Sequence, residues 1–386
     1  MLSRRFLRIK AMQAVYAYYQ KIDSYYNISI ERINDSFMPD LNSMETPDHA
    51  HLDFCKKQAL AAFEKSYKTK KITDAVEPEV KEAVAGAISH YHNSNKKDQE
   101  KVQQQMLEDT QSILHHYYNI LSFFVAFQDF VASNKKRKEK RGGVINTVQF
   151  NFADNKIIHQ LRESSQYIAE SAKVAENWLD EESILRTINR ETILEDDVYQ
   201  GYTTIAKPSF QEDKEVVLHL IKKVLFKNEL FLSHFEELDV RWEENAEIVK
   251  TLLVKTIKKS MEEEACTLFS LSSSWDDDKQ YFIDLFRETI GNNKSVKEAI
   301  NSKLQNWDEE RVAISDRIIL EMAVSEMINF PSIPIKVSLN EFVEIAKNYS
   351  TPKSKVFVNG VLDAVSKEFI EKGIIKKSGR GLIDNN

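Results

Sequence analysis

The helical spacing of apolar residues between Trp307 and Phe369 constrains this chain more than any other feature of its 386 residues. Val312, Ile314, Ile318, Ile319, Met322, Ala323 and Met327 recur three and four apart over a run too long for a strand, which predicts a helix buried on most sides. Pro331 and Pro334 end it, because proline has no backbone donor and pushes the residue before it out of the helical region. A second helix follows, with Ser338 and Glu341 at the spacing of a capping box and Phe342, Val343, Ile345 and Ala346 turned inward. Asn359-Gly360, between Phe357-Val358 and Val361-Leu362, has the local chemistry of a hairpin turn. The helical alternative is the stronger one. Ser350 or Thr351 caps a third helix with Pro352 in its first turn, running to Phe369, and Gly360 admits a close neighbouring helix.

The amino terminus carries a second long helix, capped by Ser3 and running to about Ile22. Leu7, Ala11, Ala14, Val15 and Tyr18 form a broad apolar face that Ile9, Met12, Tyr16 and Tyr19 extend almost around the cylinder. Such a helix must be buried by something other than the polar segment after it. Its first turn and a half holds Arg4, Arg5 and Arg8, where the helix dipole favours anions. Local helix stability does not account for them. Arg4 and Arg8 share a face with Arg5 beside it, so the three are placed to converge on a phosphate backbone. Read as exposed terminal charges, they are expected to matter little for stability.

Composition points to an all-α protein: 42% hydrophobic and 29% charged residues with only nine Gly and seven Pro leave few turn formers. A net charge of −7 makes any nucleic-acid surface a local patch. Two cysteines, Cys55 and Cys266, exclude a disulfide framework and suit a cytoplasmic protein. No run approaches the ~18 apolar residues of a membrane span. The amino-terminal apolar run is broken by Lys10, Gln13 and Gln20 and makes a poor signal peptide.

Between the two helical ends, Asp23 to about Asp53 turns polar, with Pro39 and Pro47, and is read as a linker. Helices are predicted over 51–67, 78–93 and 97–138, the last ending in the basic run Lys135 to Arg141 before Gly142-Gly143. Such a run is more often a solvated helix end than an RNA site. Val144 to Ala153 alternates weakly, as a short strand or an extended crossing would. Helices resume over 155–178, 181–190 and 196–204. Glu212 to Asn245 aligns without gaps on Asp277 to Glu310, matching Asp213 with Asp278, Asn228 with Asn293 and Trp242 with Trp307, as chance or a duplicated helix pair would produce.

Catalytic motifs are missing: no G-x-G-x-x-G, no P-loop, no H-E-x-x-H. His49 and His51 lie near Cys55, and His90 pairs with His92, but a spacing of two on a helix points side chains apart. No catalytic residue, metal site or cofactor is expected.

Three segments, DRIILEMAVSEM (Asp316 to Met327), IPIKVSLNEFVEIAK (Ile333 to Lys347) and FVNGVLD (Phe357 to Asp363), resemble the carboxy-terminal half of the NusB family of transcription antitermination factors. RRFLRIKAMQAVYAYYQ (Arg4 to Gln20) is similar to that family's arginine-rich first helix, and Tyr281 to Ile290 with Trp307 to Arg311 to its middle helices. The resemblance implies a NusB-like helical bundle with a large helical insertion. Residues 1–22 and 272–370 would form the core, 23–271 the insertion with a linker over 23–50, and 371–386 a flexible tail. It also implies a factor without catalysis that holds single-stranded boxA-type RNA of ribosomal transcripts. Its partners would be the small-subunit ribosomal protein NusE and the RNA polymerase antitermination complex, with no membrane. NusB-like modules also front ribosomal RNA cytosine methyltransferases, but no glycine-rich strand-turn-helix or cysteine follows Phe369 here. A third alternative makes the insertion a scaffold for another partner. Where the family commonly has an acidic residue before the Ser of TPKSKVFVNG, this chain has Lys353, with Lys355 after Ser354. With Lys336 these lysines would extend the surface of Arg4, Arg5 and Arg8.

Overall fold

The computed structural model describes residues 2–39, 47–72, 77–141, 146–173, 178, 181–262, 264–291, 294–304 and 312–383. They are all-α, and among the described residues there is no strand. Two compact units form: one comprises Arg4–Leu107 with Asp278–Asn386, the other Met1–Ser3 with Glu108–Asp277.

The first unit begins with α1, Arg4–Ser36. Its opening half packs on α13 (Ile314–Asn329) and α14 (Ile335–Tyr349), across the whole intervening sequence, as the all-round apolar pattern demands. Its second half replaces the first part of the expected linker. Tyr26, Ile30, Ile33 and Phe37 recur four, three and four apart, a stripe too narrow to stand out in a polar stretch. That stripe is held from outside, by α2 (His49–Ser66) and the start of α3 (Pro78–Lys140), in a small core of Ile33, Phe37, Cys55, Ala59, Phe63, Val80, Val84, Ala87 and Ile88. The two helices expected over 78–93 and 97–138 are this single α3, because Ser94, Asn95 and Lys96 contain no residue that breaks a helix.

The rest of the unit is α11 (Trp275–Ile290, which begins three residues before it), α12 (Lys294–Leu304), α13, α14 and α15 (Ser354–Glu371). In α13 the run from Ile318 to Met327 is buried without interruption, acids included. Two caps differ from expectation. Pro334 flanks the start of α14, so Ser338 lies inside that helix and donates to Glu326 at 2.6 Å, while Glu341 turns to α1. Helix α15 starts at Ser354, whose hydroxyl donates to Asp316 at 2.6 Å, and not at Thr351. The helix runs through Asn359-Gly360, yet a Cβ on Gly360 would meet open space, so this glycine marks no close helix approach. The expected flexible tail is docked through its first part: Ser378 N–H donates to Pro331 O at 3.0 Å and Lys377 Nζ to Phe330 O at 3.0 Å.

The second unit contains the rest of α3, then α4 (Lys156–Glu163), α5 (Ser165–Ser171), α6 (Glu182–Ile188), α7 (Asp197–Tyr202), α8 (Phe210–His219), α9 (Glu229–Leu238) and α10 (Trp242–Lys259). Where a short strand or an extended crossing was expected, Thr147–Asp154 forms 3-10 turns that bury Phe150 and Phe152; Val144 lies outside the described residues. The core is aromatic, with Phe123, Phe124, Phe127, Phe152, Tyr199, Phe231, Phe235 and Trp242 buried, and Trp178 donating to Asn119 Oδ1 at 2.6 Å. Of the aligned segments, Asp213 accepts from Tyr202 at 2.7 Å, whereas Asp278 pairs with Arg4 at 3.4 Å. The aligned aspartates therefore do different work. Asn293 and Trp307 lie outside the described residues.

Asn27 is exposed in the middle of α1, where a linker would tolerate proline. In a helix interior, proline removes one hydrogen bond and clashes with the preceding turn. Asn27→Pro is expected to lower stability by about 3 kcal/mol in urea melts; a change within scatter would return the segment to a linker.

Candidate nucleic-acid interface

Arginines early on α1 meet carboxylates contributed by three other helices. Arg8 makes a two-pronged contact with Glu326 of α13, Nε to Oε2 at 2.7 Å and Nη2 to Oε1 at 2.9 Å, with both side chains shut from solvent at 2% and 0% exposure. Tyr281 of α11 and Ser338 of α14 also donate to that carboxylate. Glu326 thus receives hydrogen bonds from a side chain on each of three other helices, α1, α11 and α14, which satisfies a buried anion. Burial works most strongly against the charge on Arg8, but the Glu326 hydrogen bonds and the negative charge of Glu326 and its neighbours together outweigh it and its pKa rises. Burial, then the adjacent carboxylate, push the Tyr281 phenol well above its ordinary range, so it stays a donor. A second, half-buried tie joins the same helices: Tyr19 of α1 donates to Glu321 of α13 at 2.6 Å.

Arg8 is therefore a correction to the expected RNA-facing trio. Its guanidinium is inside, committed to Glu326 and 3.7 Å from Glu341, and stacks over the Tyr281 and Phe342 rings. The signal was in the sequence: Glu326 stands in a helix predicted to be buried, and a buried acid requires a cation.

Arg4 and Arg5 lie half in solvent, at 48% and 43% exposure. Each has a carboxylate partner, Arg4 with Asp278 at 3.4 Å and Arg5 with Glu341 through two 2.8 Å contacts. The Arg5 hydrogen bonds hold the Glu341 carboxyl below its usual 4.5. Glu344, one turn along α14, lies 3.9 Å from Lys355 Nζ, so Arg5 and Lys355 share one edge of that helix. Lys336 begins the i, i+4, i+8 stripe that ends at Glu344. Lys336 and Lys353 are exposed and make no ion pair with a described residue. The unit thus brings Arg5, Lys336 and Lys355 onto α14 and its neighbour. Arg4 sits at the α11 end, and acids are interleaved throughout. In the other unit, Lys135 pairs with Asp154 at 3.2 Å and Lys138 reaches Gln149 at 3.2 Å, so the run Lys135 to Arg141 is partly engaged.

Away from this surface, His51, Cys55 and Glu77 come together. His49 and His51, two apart, point away from each other on α2, whereas His51 and Cys55, four apart, share a face, which the expectation of no metal site left out.

The first unit is thus an all-α module whose amino-terminal helix is clamped by its carboxy-terminal helices, with cations and carboxylates along its exposed edge. Residues 243–367 match the family model described as the NusB family. Three proteins named transcription antitermination protein NusB are similar to this chain. That of Salinibacter ruber is 46% identical over 99 residues, 26% of this chain and 62% of that protein. That of Chloroherpeton thalassium is 42% identical over 106 residues, covering 28% and 50%. That of Methylacidiphilum infernorum is 42% identical over 91 residues, covering 24% and 64%. The chain thus spans between half and just under two thirds of these relatives, and it is longer than the matched domain. No solved structure matches it. No described helix is long and apolar enough to cross a membrane.

Removing one partner of a buried, hydrogen-bonded pair strands the other charge, so Arg8→Ala is expected to cost about 3–5 kcal/mol. Arg4→Ala, at a half-exposed pair, should change stability far less. Urea melts of the two variants compare them directly, and equal, small effects would place Arg8 in solvent. Glu341 adds a pH dependence. Its folded pKa is depressed, so the unfolded chain binds more protons and the contribution of Glu341 is present above about pH 4.5 and lost as pH falls. Glu341→Gln should be less stable at neutral pH and flatter in its stability between about pH 5 and pH 3; a parallel, unflattened profile would count against the pairing.

Proposed function

We propose that this protein is a transcription antitermination factor that binds single-stranded, boxA-type RNA of ribosomal transcripts and acts without catalysis, together with NusE and the RNA polymerase antitermination complex in the cytoplasm. The observation that carries this is the match of residues 243–367 to the NusB family model, with similarity to three antitermination proteins, in a unit that presents Lys336 and Lys353 unpaired among described residues and also exposes Arg4, Arg5 and Lys355. Single-stranded RNA suits such a surface: phosphates are met by scattered cations, and no continuous groove is needed. Carboxylates between the cations limit the field and favour a chain threaded past individual lysines over a duplex laid on a basic face. In this proposal residues 1–22 and 272–370 are the NusB-like core, 23–271 the insertion and 371–386 a tail. Lys353, where an acid is common in the family, strengthens phosphate attraction at the turn before α15.

The decisive experiment measures affinity of the full chain for boxA-type RNA over a salt series, with Arg4→Ala, Lys336→Ala and Lys353→Ala. Each phosphate contact removed should reduce the slope of log affinity against log salt by about 0.7 and weaken binding at low salt. Capture of NusE by the full chain tests the partner. Unchanged affinity and slope in all three intact variants would remove this surface from RNA binding and direct the search to Lys135 to Arg141.

A further inference from the structure

We propose that His51, Cys55 and Glu77 form a binding site for a divalent transition metal, best matched to zinc, that ties the beginning of α2 to the beginning of α3. The three donors come from two segments distant in sequence. His51 and Cys55 stand four apart on α2 and so share a face; Glu77 immediately precedes Pro78, which opens α3. Cys55 Sγ lies 3.6 Å from His51 Nε2 and 3.5 Å from Glu77 Oε2, and the last two atoms are 3.9 Å apart. Bond lengths typical of zinc to sulfur, nitrogen and oxygen place the corners of a tetrahedron about 3.3–3.6 Å apart. Two of the three edges already fall there, and the third closes with a side-chain movement of a few tenths of an ångström.

The donor chemistry points the same way. An imidazole, a thiolate and a carboxylate form a mixed set of borderline hardness, which zinc accepts and which magnesium or calcium, preferring oxygen alone, does not. Thiolate and carboxylate together balance the charge of a divalent ion. Without a cation the arrangement disfavours the thiolate: burial, Glu77 and Glu79 all push Cys55 upward, and an ion at the centre reverses the electrostatic part of that. The sulfur is supplied from inside, on a residue only 1% exposed, while His51 and Glu77 stand 48% and 46% exposed. An ion therefore enters from solvent and keeps water in its fourth position. The first turn that carries His51 is itself fixed, because the Asp48 side chain accepts from His51 N–H at 3.0 Å.

The place in the fold suggests a use. Cys55 belongs to the small core that α2 and the start of α3 build against the second half of α1, where its thiol lies among a few buried aliphatic and aromatic side chains. Small cores of this kind gain from a staple, and an ion bridging α2 to the head of α3 is one. Binding only to the folded arrangement stabilises it by mass action.

The test uses the full chain without an affinity tag, stripped by chelator and titrated with Co²⁺, whose thiolate charge-transfer and tetrahedral bands report coordination. One equivalent is expected to develop both bands and to be displaced by Zn²⁺, and the melting temperature should rise with Zn²⁺. Cys55→Ser should abolish the charge-transfer band and Cys266→Ser should retain it. His51→Ala, at an exposed residue that leaves the core intact, should lower affinity by at least the ~10–100-fold that loss of a supporting group costs. Absence of stoichiometric binding, a band that survives Cys55→Ser, or a folded His51→Ala variant that binds as tightly as the parent would each overturn the site. The remaining account of these residues would then be a thiol hydrogen-bonded to a carboxylate.

Discussion

The contact between Arg8 and Glu326 is the interaction on which the first unit, Arg4–Leu107 with Asp278–Asn386, depends. A carboxylate sits in the middle of a helix that is otherwise a core element, and a carboxylate there is tolerable only if charge and hydrogen bonds reach it from several sides. Arg8 brings the charge from the start of the chain, Tyr281 and Ser338 bring further donors, and the contact therefore selects one arrangement of α1, α11, α13 and α14. Apolar packing alone would hold α1 in its groove with some freedom to slide. A two-pronged arginine contact fixes its position along the groove, because a shift by one residue would break both hydrogen bonds and leave two charges buried.

The same arginine cluster shows why charge at a helix end is a poor guide to a binding surface. Arg4, Arg5 and Arg8 are adjacent in sequence, yet they differ in surroundings. Arg8 is enclosed, Arg5 is held by Glu341, and Arg4 reaches Asp278 from solvent. The cations left free of a described partner, Lys336 and Lys353, come from the opposite end of the chain. The proposed RNA surface is made of isolated cations on several helices, an arrangement that suits a flexible strand met one phosphate at a time.

The middle of the sequence divides between the two units in a way that no local signal marks. Helix α3 is a single element whose first part contributes Val80, Val84, Ala87 and Ile88 to one core and whose later part contributes Phe123, Phe124 and Phe127 to the other. Ser94 to Lys96 looks like an interruption because it is polar, but polar residues without proline or glycine stay helical when both ends are held. For the same reason the second half of α1 reads as a linker. Its four inward residues, Tyr26, Ile30, Ile33 and Phe37, carry little weight in a polar window and become meaningful only when α2 and α3 lie against them.

By itself the sequence determined the class of fold and most of the helices, since apolar periodicity over long runs and the proline breaks at 331 and 334 are local properties read from neighbours a few residues apart. It also determined that α1 must be buried by distant helices. What the tertiary structure decided was the work of the polar groups: Ser338 and Glu341 have the spacing of a cap but serve Glu326 and Arg5, and Gly360 has the look of a contact but faces open space. It also decided that Cys55 meets His51 and Glu77. The physical reason is range. Backbone preference and apolar periodicity act within a turn or two of helix, whereas the partner of a charge or a donor is set by which elements pack together, and residues hundreds of positions apart must already be neighbours before that pairing exists.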